Sequence, residues 1–278
     1  MPTLAQALLQ AQSLSLDRLD AQLLLLHALD KPAFQRAWLL AHDTDELPAR
    51  AQAGFDALVR RRVGGEPLAY LTGHKEFFGL DLQVDQRVLV PRPDTETLVE
   101  WTLEALAEIT VGADPITVLD LGTGSGAIAL ALKATRPALQ LSATDASAAA
   151  LTVARSNAQR LQLEVQFHRS SWFDGISGRY HAIVSNPPYV AAQDRHLEAL
   201  RHEPMQALTS GADGLDDIGH IIAQAPAHLH PAGWLLLEHG HDQAAAVRDL
   251  LRQTGLVNVQ SRRDLSGIER CSGGQYPH

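Results

Sequence analysis

Residues Ile116 to Lys133 read ITVLDLGTGSGAIALALK. Ile116-Thr117-Val118-Leu119-Asp120 has the short apolar pattern of a buried strand. Gly122-Thr123-Gly124-Ser125-Gly126 must then turn, and Ala127 to Lys133 continues as a helix. Strand, glycine turn and helix together are the first half of a βαβ unit. Working outward, the same rhythm repeats. Strands are expected at 139–145, 163–167, 182–184 and 234–238, with helical stretches between them. Such alternation predicts an α/β fold: a doubly wound, mostly parallel Rossmann-like sheet with helices on both faces. Ligands of such sheets bind at the carboxyl ends of strands, near the point where strand order reverses.

The glycine loop sits at such a strand end. Its glycines allow a tight turn and close approach of a ligand to the main chain. The loop lacks a following Lys-Ser or Lys-Thr, which argues against a nucleoside-triphosphate P-loop. The next strand ends in Asp145, 19 residues after Gly126, where a carboxylate can accept both hydroxyls of an adenosine ribose. Gly122-x-Gly124-x-x-Ala127 is also a permitted dinucleotide fingerprint. The loop thus points to an adenosine-containing cofactor and leaves NAD and S-adenosylmethionine both open.

A second strand end is more telling. Ala182-Ile183-Val184-Ser185 runs into Asn186-Pro187-Pro188-Tyr189. The two prolines fix two φ angles, restrict the residues before them and offer no N–H. The stiff turn therefore presents carbonyl oxygens, the Asn186 side-chain acceptor and the flat Tyr189 ring. Such a set suits a planar NH2 group. One hydrogen goes to the Asn186 side-chain oxygen, the other to the Pro187 carbonyl, and the conjugated plane rests on Tyr189. Two acceptors orient the nitrogen lone pair, and a methyl sulfonium held in line at roughly 3 Å can then be attacked without a strong base.

Upstream, Leu4, Leu8, Leu16, Leu19, Leu23 and Leu26 recur at helical spacing, with Pro32 and Pro48 between segments. Gly64-Gly65-Glu66-Pro67 ends that pattern. The alternation from Phe77 to Val84, followed by Val88-Leu89-Val90, reads as a hairpin. Asp94 or Thr95 is the expected cap of the next helix. The expected organisation is a small all-helical domain over 1–75, a β-hairpin linker over 76–92 and the sheet domain over 93–278.

The net charge of -9, from 23 basic and 32 acidic side chains, opposes general polyanion binding, so no direct nucleic-acid binding is expected. Arg60-Arg61-Arg62, the one dense basic run, reads as a solvated helix end. One cysteine, Cys271, excludes an intrachain disulfide and fits a reducing compartment. The N-terminus lacks a basic segment ahead of an apolar run, and no stretch approaches the roughly 20 apolar residues of a membrane span. A soluble, cytoplasmic monomer is expected. Of the thirteen histidines, only His228/His230 and His239/His241 are close pairs, and no metal site is expected.

Asn-Pro-Pro-Tyr downstream of a Gly-x-Gly-x-Gly loop resembles the amino-group class of S-adenosylmethionine-dependent methyltransferases. Further blocks narrow this: Phe77-Phe78-Gly79-Leu80 through Val90-Pro91-Arg92-Pro93-Asp94-Thr95-Glu96, Glu203-Pro204, Gly211 to Leu215, and Glu238-His239-Gly240 with Gln243. With the helical N-terminus, they resemble the bacterial release factor glutamine N5-methyltransferases (the HemK/PrmC family) over nearly the whole chain. The resemblance implies methyl transfer from S-adenosylmethionine to the glutamine of a Gly-Gly-Gln loop in peptide chain release factors, with the helical domain recognising that protein. It implies that Gly122, Thr123, Gly124, Ser125 and Gly126 hold the methionine part, Asp145 the ribose, and Trp172 the adenine. It also implies that Asn186 to Tyr189 bind the glutamine, with Asn186 bordering both cofactor and substrate and Asn186 and Pro187 acting on the reacting amide. Ser171 departs from the acidic residue common before that tryptophan. Gly273-Gly274-Gln275 repeats the target tripeptide and is expected to pair as a final strand. The competing activity is amino methylation of adenine or guanine in DNA or RNA, since those bases also present a planar NH2.

Overall fold

The computed structural model describes residues 1–109 and 115–278, which divide into two units, Met1–His74 and Lys75–His278. The first unit is helical: α1 (Leu4–Ser13), α2 (Arg18–Ala28), α3 (Arg36–Ala41), α4 (Ala49–Val63) and α5 (Leu68–Thr72). Thr3 and Gln6 form a reciprocal capping box at α1, and the Asp17 carboxylate accepts from Leu19 N at 2.7 Å to start α2. Leu4, Leu24, Leu25, Leu26, Leu39, Leu47 and Phe55 fill its core. Arg60 to Arg62 lie in the last turn of α4, where cations suit the helix dipole; Arg61 pairs with Glu66 and Arg62 with Asp20.

Strands β1 (His74–Phe77) and β2 (Leu80–Gln83) form a two-stranded sheet. Val88-Leu89-Val90 is not a strand, contrary to expectation. Its N–H groups go elsewhere: Val88 N donates to Asp85 O in a turn, and Val90 N donates to the buried Glu203 carboxylate at 3.1 Å. The expected cap also differs. A short 3-10 turn over Pro93–Thr95 precedes α6 (Glu96–Ala107), and Thr95 makes no side-chain cap bond.

Beyond this come β3 (Thr117–Leu121), α7 (Ala127–Thr135), β4 (Gln140–Asp145), α8 (Ala148–Leu161), β5 (Gln166–Arg169), β6 (Tyr180–Ser185), α9 (Asp216–Gln224), β7 (Leu229–Glu238), α10 (Ala244–Gln253), β8 (Val257–Arg263) and β9 (Glu269–Gln275). The sheet order is β5-β4-β3-β6-β7-β9-β8. Strands β3 to β7 run parallel, and β9 is antiparallel to both β7 and β8. The fold is the expected mostly parallel, doubly wound sheet, closed by an antiparallel pair of which β8 had no clear sequence signal. β5 begins three residues later than its pattern predicts. Gln162 takes a left-handed φ of 57° and Leu163 N donates back to Ala158 O, so Leu163 closes the end of α8 instead of entering the strand.

Alternation along the central strands builds two cores. Val118, Val184 and Leu236 pack with Leu98, Val99 and Ile128 on one face. Leu119, Leu121, Ile183, Leu235 and Leu237 pack with Ile218, Ile221, Val247 and Leu251 on the other. Gly273 and Gly274 lie in β9 between two strands, and a Cβ on Gly273 would stand 2.6 Å from Leu235 O and 2.5 Å from Leu236 Cδ2. That close packing accounts for their being glycine, and it keeps this tripeptide inside the sheet. Among the described residues no helix is long and apolar enough to cross a membrane.

Candidate functional site

Register places the site. Leu121 pairs with Thr144 on one side and Ser185 on the other. Gly122, Asp145 and Asn186 are the next residues of three adjacent strands, spaced about 4.8 Å apart. Chain order reverses here, β4 lying to one side of β3 and β6 to the other. The Ser185 hydroxyl donates to Leu121 O at 2.7 Å and ties the two strand ends together.

A cleft of about 270 Å³ opens above them, lined among others by Gly122, Gly124, Asp145, Trp172, Asn186 and Pro188. The loop residues divide their labour. Gly122 (φ 70°) and Gly124 (φ 56°) carry the loop past the cleft in a conformation that costs glycine little. A Cβ on Gly122 would sit 3.3 Å from the Trp172 ring, while one on Gly124 meets nothing within 4 Å. Thr123 and Ser125 are buried beneath the loop. The Thr123 hydroxyl donates to Asp120 at 2.6 Å, and Ser125 O accepts from Asn157. Gly126 starts α7, its Cα 's open side close against Leu130 and Ala154.

Asp145 accepts from Gly124 N at 2.9 Å through one oxygen and from Ser147 N at 2.8 Å through the other. An ionised carboxylate offers about four acceptor positions, so two remain for a ligand diol. Burial pushes its pKa up, and the two N–H donors oppose that rise. Trp172, at a left-handed φ of 50°, is pinned by its Nε1, which donates to Asp217 Oδ1 at 3.1 Å. Asp217, in the first turn of α9, also lines the cleft, so a carboxylate stands beside Trp172 although Ser171 is not acidic. A flat platform, two free carboxylate positions, an open glycine backbone and a helix N-terminus together suit an adenosyl amino acid.

At the other strand end Asn186 and Pro188 line the cleft, whereas Pro187 is buried and Tyr189 is held behind them. Tyr189 OH donates to Glu238 Oε1 at 3.2 Å, and Gln243 Nε2 donates to Tyr189 O at 3.1 Å and to Asp213 O at 3.0 Å. Gln243 Oε1 in turn accepts from Gly240 N, so one buried amide staples three loops. Asn186 Nδ2 donates to the Thr95 hydroxyl at 3.1 Å. Burial raises Glu238 to about 7, against the hydrogen bond that Tyr189 donates. The phenol of Tyr189 is raised for the same reason, burial first and then the Glu238 charge. The bonds of Asp217 to Trp172 and of Thr95 to Asn186 had no local signal, because each joins partners distant in the chain.

Under the glycine loop, burial lifts Asp120 to about 7, and its Oδ1 has no hydrogen-bond partner among the described residues. A folded-state pKa raised above the unfolded value of about 4 gives stability that is full below about pH 4 and lost as pH rises through about 7. Asp120→Asn removes that dependence. The Tm difference, variant minus wild type, is therefore expected to become more positive between about pH 5 and about pH 8. Thermal melts at the two pH values check it, and an unchanged difference would contradict the assigned burial of charge.

Residues 102–262 match the family model described as methyltransferase small domain, and residues 3–73 match the PrmC N-terminal domain. The chain is 50% identical over 275 residues to a release factor glutamine methyltransferase of Xylella fastidiosa, covering 98% of each. It is 51% identical over 264 residues to the protein of that name from Pseudomonas aeruginosa, covering 93% of this chain and 92% of the other. A crystal structure of a methyltransferase from Pyrococcus furiosus superposes with a TM-score of 0.54 at 19% identity, covering 80% of this chain and 98% of that one, a likeness of fold.

Proposed function

The chain belongs to the release factor glutamine methyltransferase family, and from that premise we propose that it methylates the side-chain nitrogen of the glutamine in a release factor's Gly-Gly-Gln loop. The observation that carries the reading is the meeting of Gly122, Asp145 and Asn186 at one sheet switch point, in one cleft. When bound, S-adenosylmethionine supplies a methyl carbon made electrophilic by its positively charged sulfur. Gly122 to Gly126 would hold the methionine part, Asp145 the ribose hydroxyls and Trp172 the adenine face.

The chain's own task is to position an amide nitrogen. Asn186 Oδ1 and the Pro187 carbonyl would accept its two hydrogens, turning the lone pair toward the methyl group, while Pro188 and Tyr189 keep the turn rigid. An amide is a weak nucleophile, so holding it at about 3 Å in line with the S–CH3 bond is the main contribution open to the protein. The nitrogen becomes acidic as the new N–C bond forms, and its proton leaves then, so no strong base is needed beforehand. Glycines beside the target glutamine let an exposed loop enter without Cβ clashes. The helical unit would grip the release factor away from that loop, adding affinity and orientation. Such a reaction belongs in the cytoplasm, beside the ribosome.

Mass spectrometry of release factor incubated with enzyme and cofactor tests this. A gain of about 14 Da on that glutamine is expected, much faster on whole release factor than on a free Gly-Gly-Gln peptide. Methyl label found only on DNA or RNA would overturn the reading.

A further inference from the structure

Adenosine carries two sets of hydrogen-bond donors, the ribose hydroxyls and the exocyclic amino group of the base. Two carboxylates line the cleft, Asp145 and Asp217. Asp145 ends β4 and shares the glycine-loop end of the cleft, because one of its oxygens accepts from Gly124 N. Asp217 stands at the far end of the Trp172 ring. The six-membered edge of the indole faces the loop: Cζ3 and Cη2 lie 3.3 and 3.7 Å from where a Cβ on Gly122 would stand. The Nε1 edge, across the ring, donates to Asp217 Oδ1 at 3.1 Å. The indole thus spans the interval from the glycine loop to Asp217.

Both ends of this contact are fixed. Asp217 N donates to the Ser210 hydroxyl at 2.8 Å, which seats the first turn of α9. Ser170 N donates to Asp145 O at 3.1 Å, which ties the loop carrying Trp172 to the end of β4. The Asp217 carboxylate is otherwise uncommitted. Trp172 Nε1 takes one oxygen, and among the described residues no N–H, hydroxyl or cation meets the other. A carboxylate only accepts, so Oδ2 calls for a donor on the ligand. Ser171, which also lines the cleft, has a hydroxyl that both donates and accepts, so it discriminates less.

Resting on the reading of the cleft as the S-adenosylmethionine site, we propose that Asp217 selects the base of the cofactor: its Oδ2 accepts the exocyclic amino group of adenine, while its Oδ1 holds the Trp172 platform. The contact reads chemistry, not shape. Hypoxanthine has nearly the same outline, but it carries a carbonyl oxygen where adenine has the amino group. Two acceptors then face each other, and the carboxylate loses water without gaining a partner. Asp217 touches the cofactor away from the reacting atoms, so it sets cofactor choice and affinity.

Asp217→Asn is the informative variant, because an amide of the same shape still accepts from Trp172 Nε1 through its oxygen. Its NH2 then faces the base, where it opposes the amino group of adenine and suits the carbonyl of hypoxanthine. Asp217→Ala removes both interactions. Calorimetry with S-adenosylhomocysteine and S-inosylhomocysteine reads the preference directly, without turnover or a protein substrate. Wild type is expected to bind the adenosyl compound at least about tenfold tighter, the scale of one hydrogen bond to a charged group. The ratio should fall to within about threefold of unity in Asp217→Ala and reverse in Asp217→Asn. A residue that only braced Trp172 would behave differently: Asp217→Ala would weaken both ligands alike, and Asp217→Asn would change neither. Wild-type affinities within about twofold of each other, or a ratio that both variants leave unchanged, would overturn the proposal. Wild type that binds neither compound would overturn the cofactor reading and this inference with it. Wild type that shows the expected preference, lost in the variants, but leaves release factor unmethylated would support base selection and defeat only the substrate assignment.

Discussion

Asn186→Ala is expected to reduce kcat by roughly 10²–10³-fold, the scale of removing one preorganised hydrogen bond aimed at a reacting group. The side chain is the one acceptor of the turn that is not main chain, and it lines the cleft beside Gly122 and Asp145. Its loss leaves the substrate nitrogen with a single acceptor, free to rotate its lone pair away from the methyl group. The fold should survive, because Pro187 and Pro188 set the turn and Gln243 holds Tyr189 O from behind. Single-turnover rates with methyl-labelled cofactor, alongside thermal melts, separate the two effects. A variant with near wild-type turnover would refute the amide clamp.

Asp145→Ala should weaken S-adenosylhomocysteine binding by roughly 10²-fold, as expected for two hydrogen bonds to a charged acceptor at about 1.5 kcal/mol each. The same carboxylate braces the cleft. It accepts from Gly124 N and Ser147 N, so the variant also loosens the glycine loop and leaves two N–H groups seeking water. Isothermal calorimetry reads the loss directly. An affinity unchanged within twofold would remove Asp145 from the site. Tight NAD binding without any response to the adenosyl ligand would remove the cofactor assignment itself.

The places of both residues at strand ends are legible in the sequence, and for a local reason. Gly122 to Gly126 follow an apolar strand and open a helix within a dozen residues, Asp145 ends the next strand, and Asn186 to Tyr189 end another. Turn chemistry, periodicity and residue type act over a few positions, so a linear reading reaches them. Local preference gives way where it meets a distant partner. Val88 to Val90 has strand composition, yet Glu203 takes the Val90 N–H from 113 residues away. Thr95 has the composition of a helix cap, yet Asn186, 91 residues on, takes its lone pair.

By itself, then, the sequence determined the βαβ rhythm, the helical N-terminal segment, the glycine loop, the strand-end carboxylate of Asp145 and the rigid Asn-Pro-Pro-Tyr turn. Only the tertiary structure decided that Asp217 stands beside Trp172, that Gln243 staples the turn, and that Asn186 Nδ2 meets the Thr95 hydroxyl. The physical reason is register. The pairing of Leu121 with Thr144 and Ser185 brings three strand ends to one level. Which buried donor then meets which buried acceptor follows from how strands remote in the chain align, a matter of distance and direction that residue types in a row do not carry.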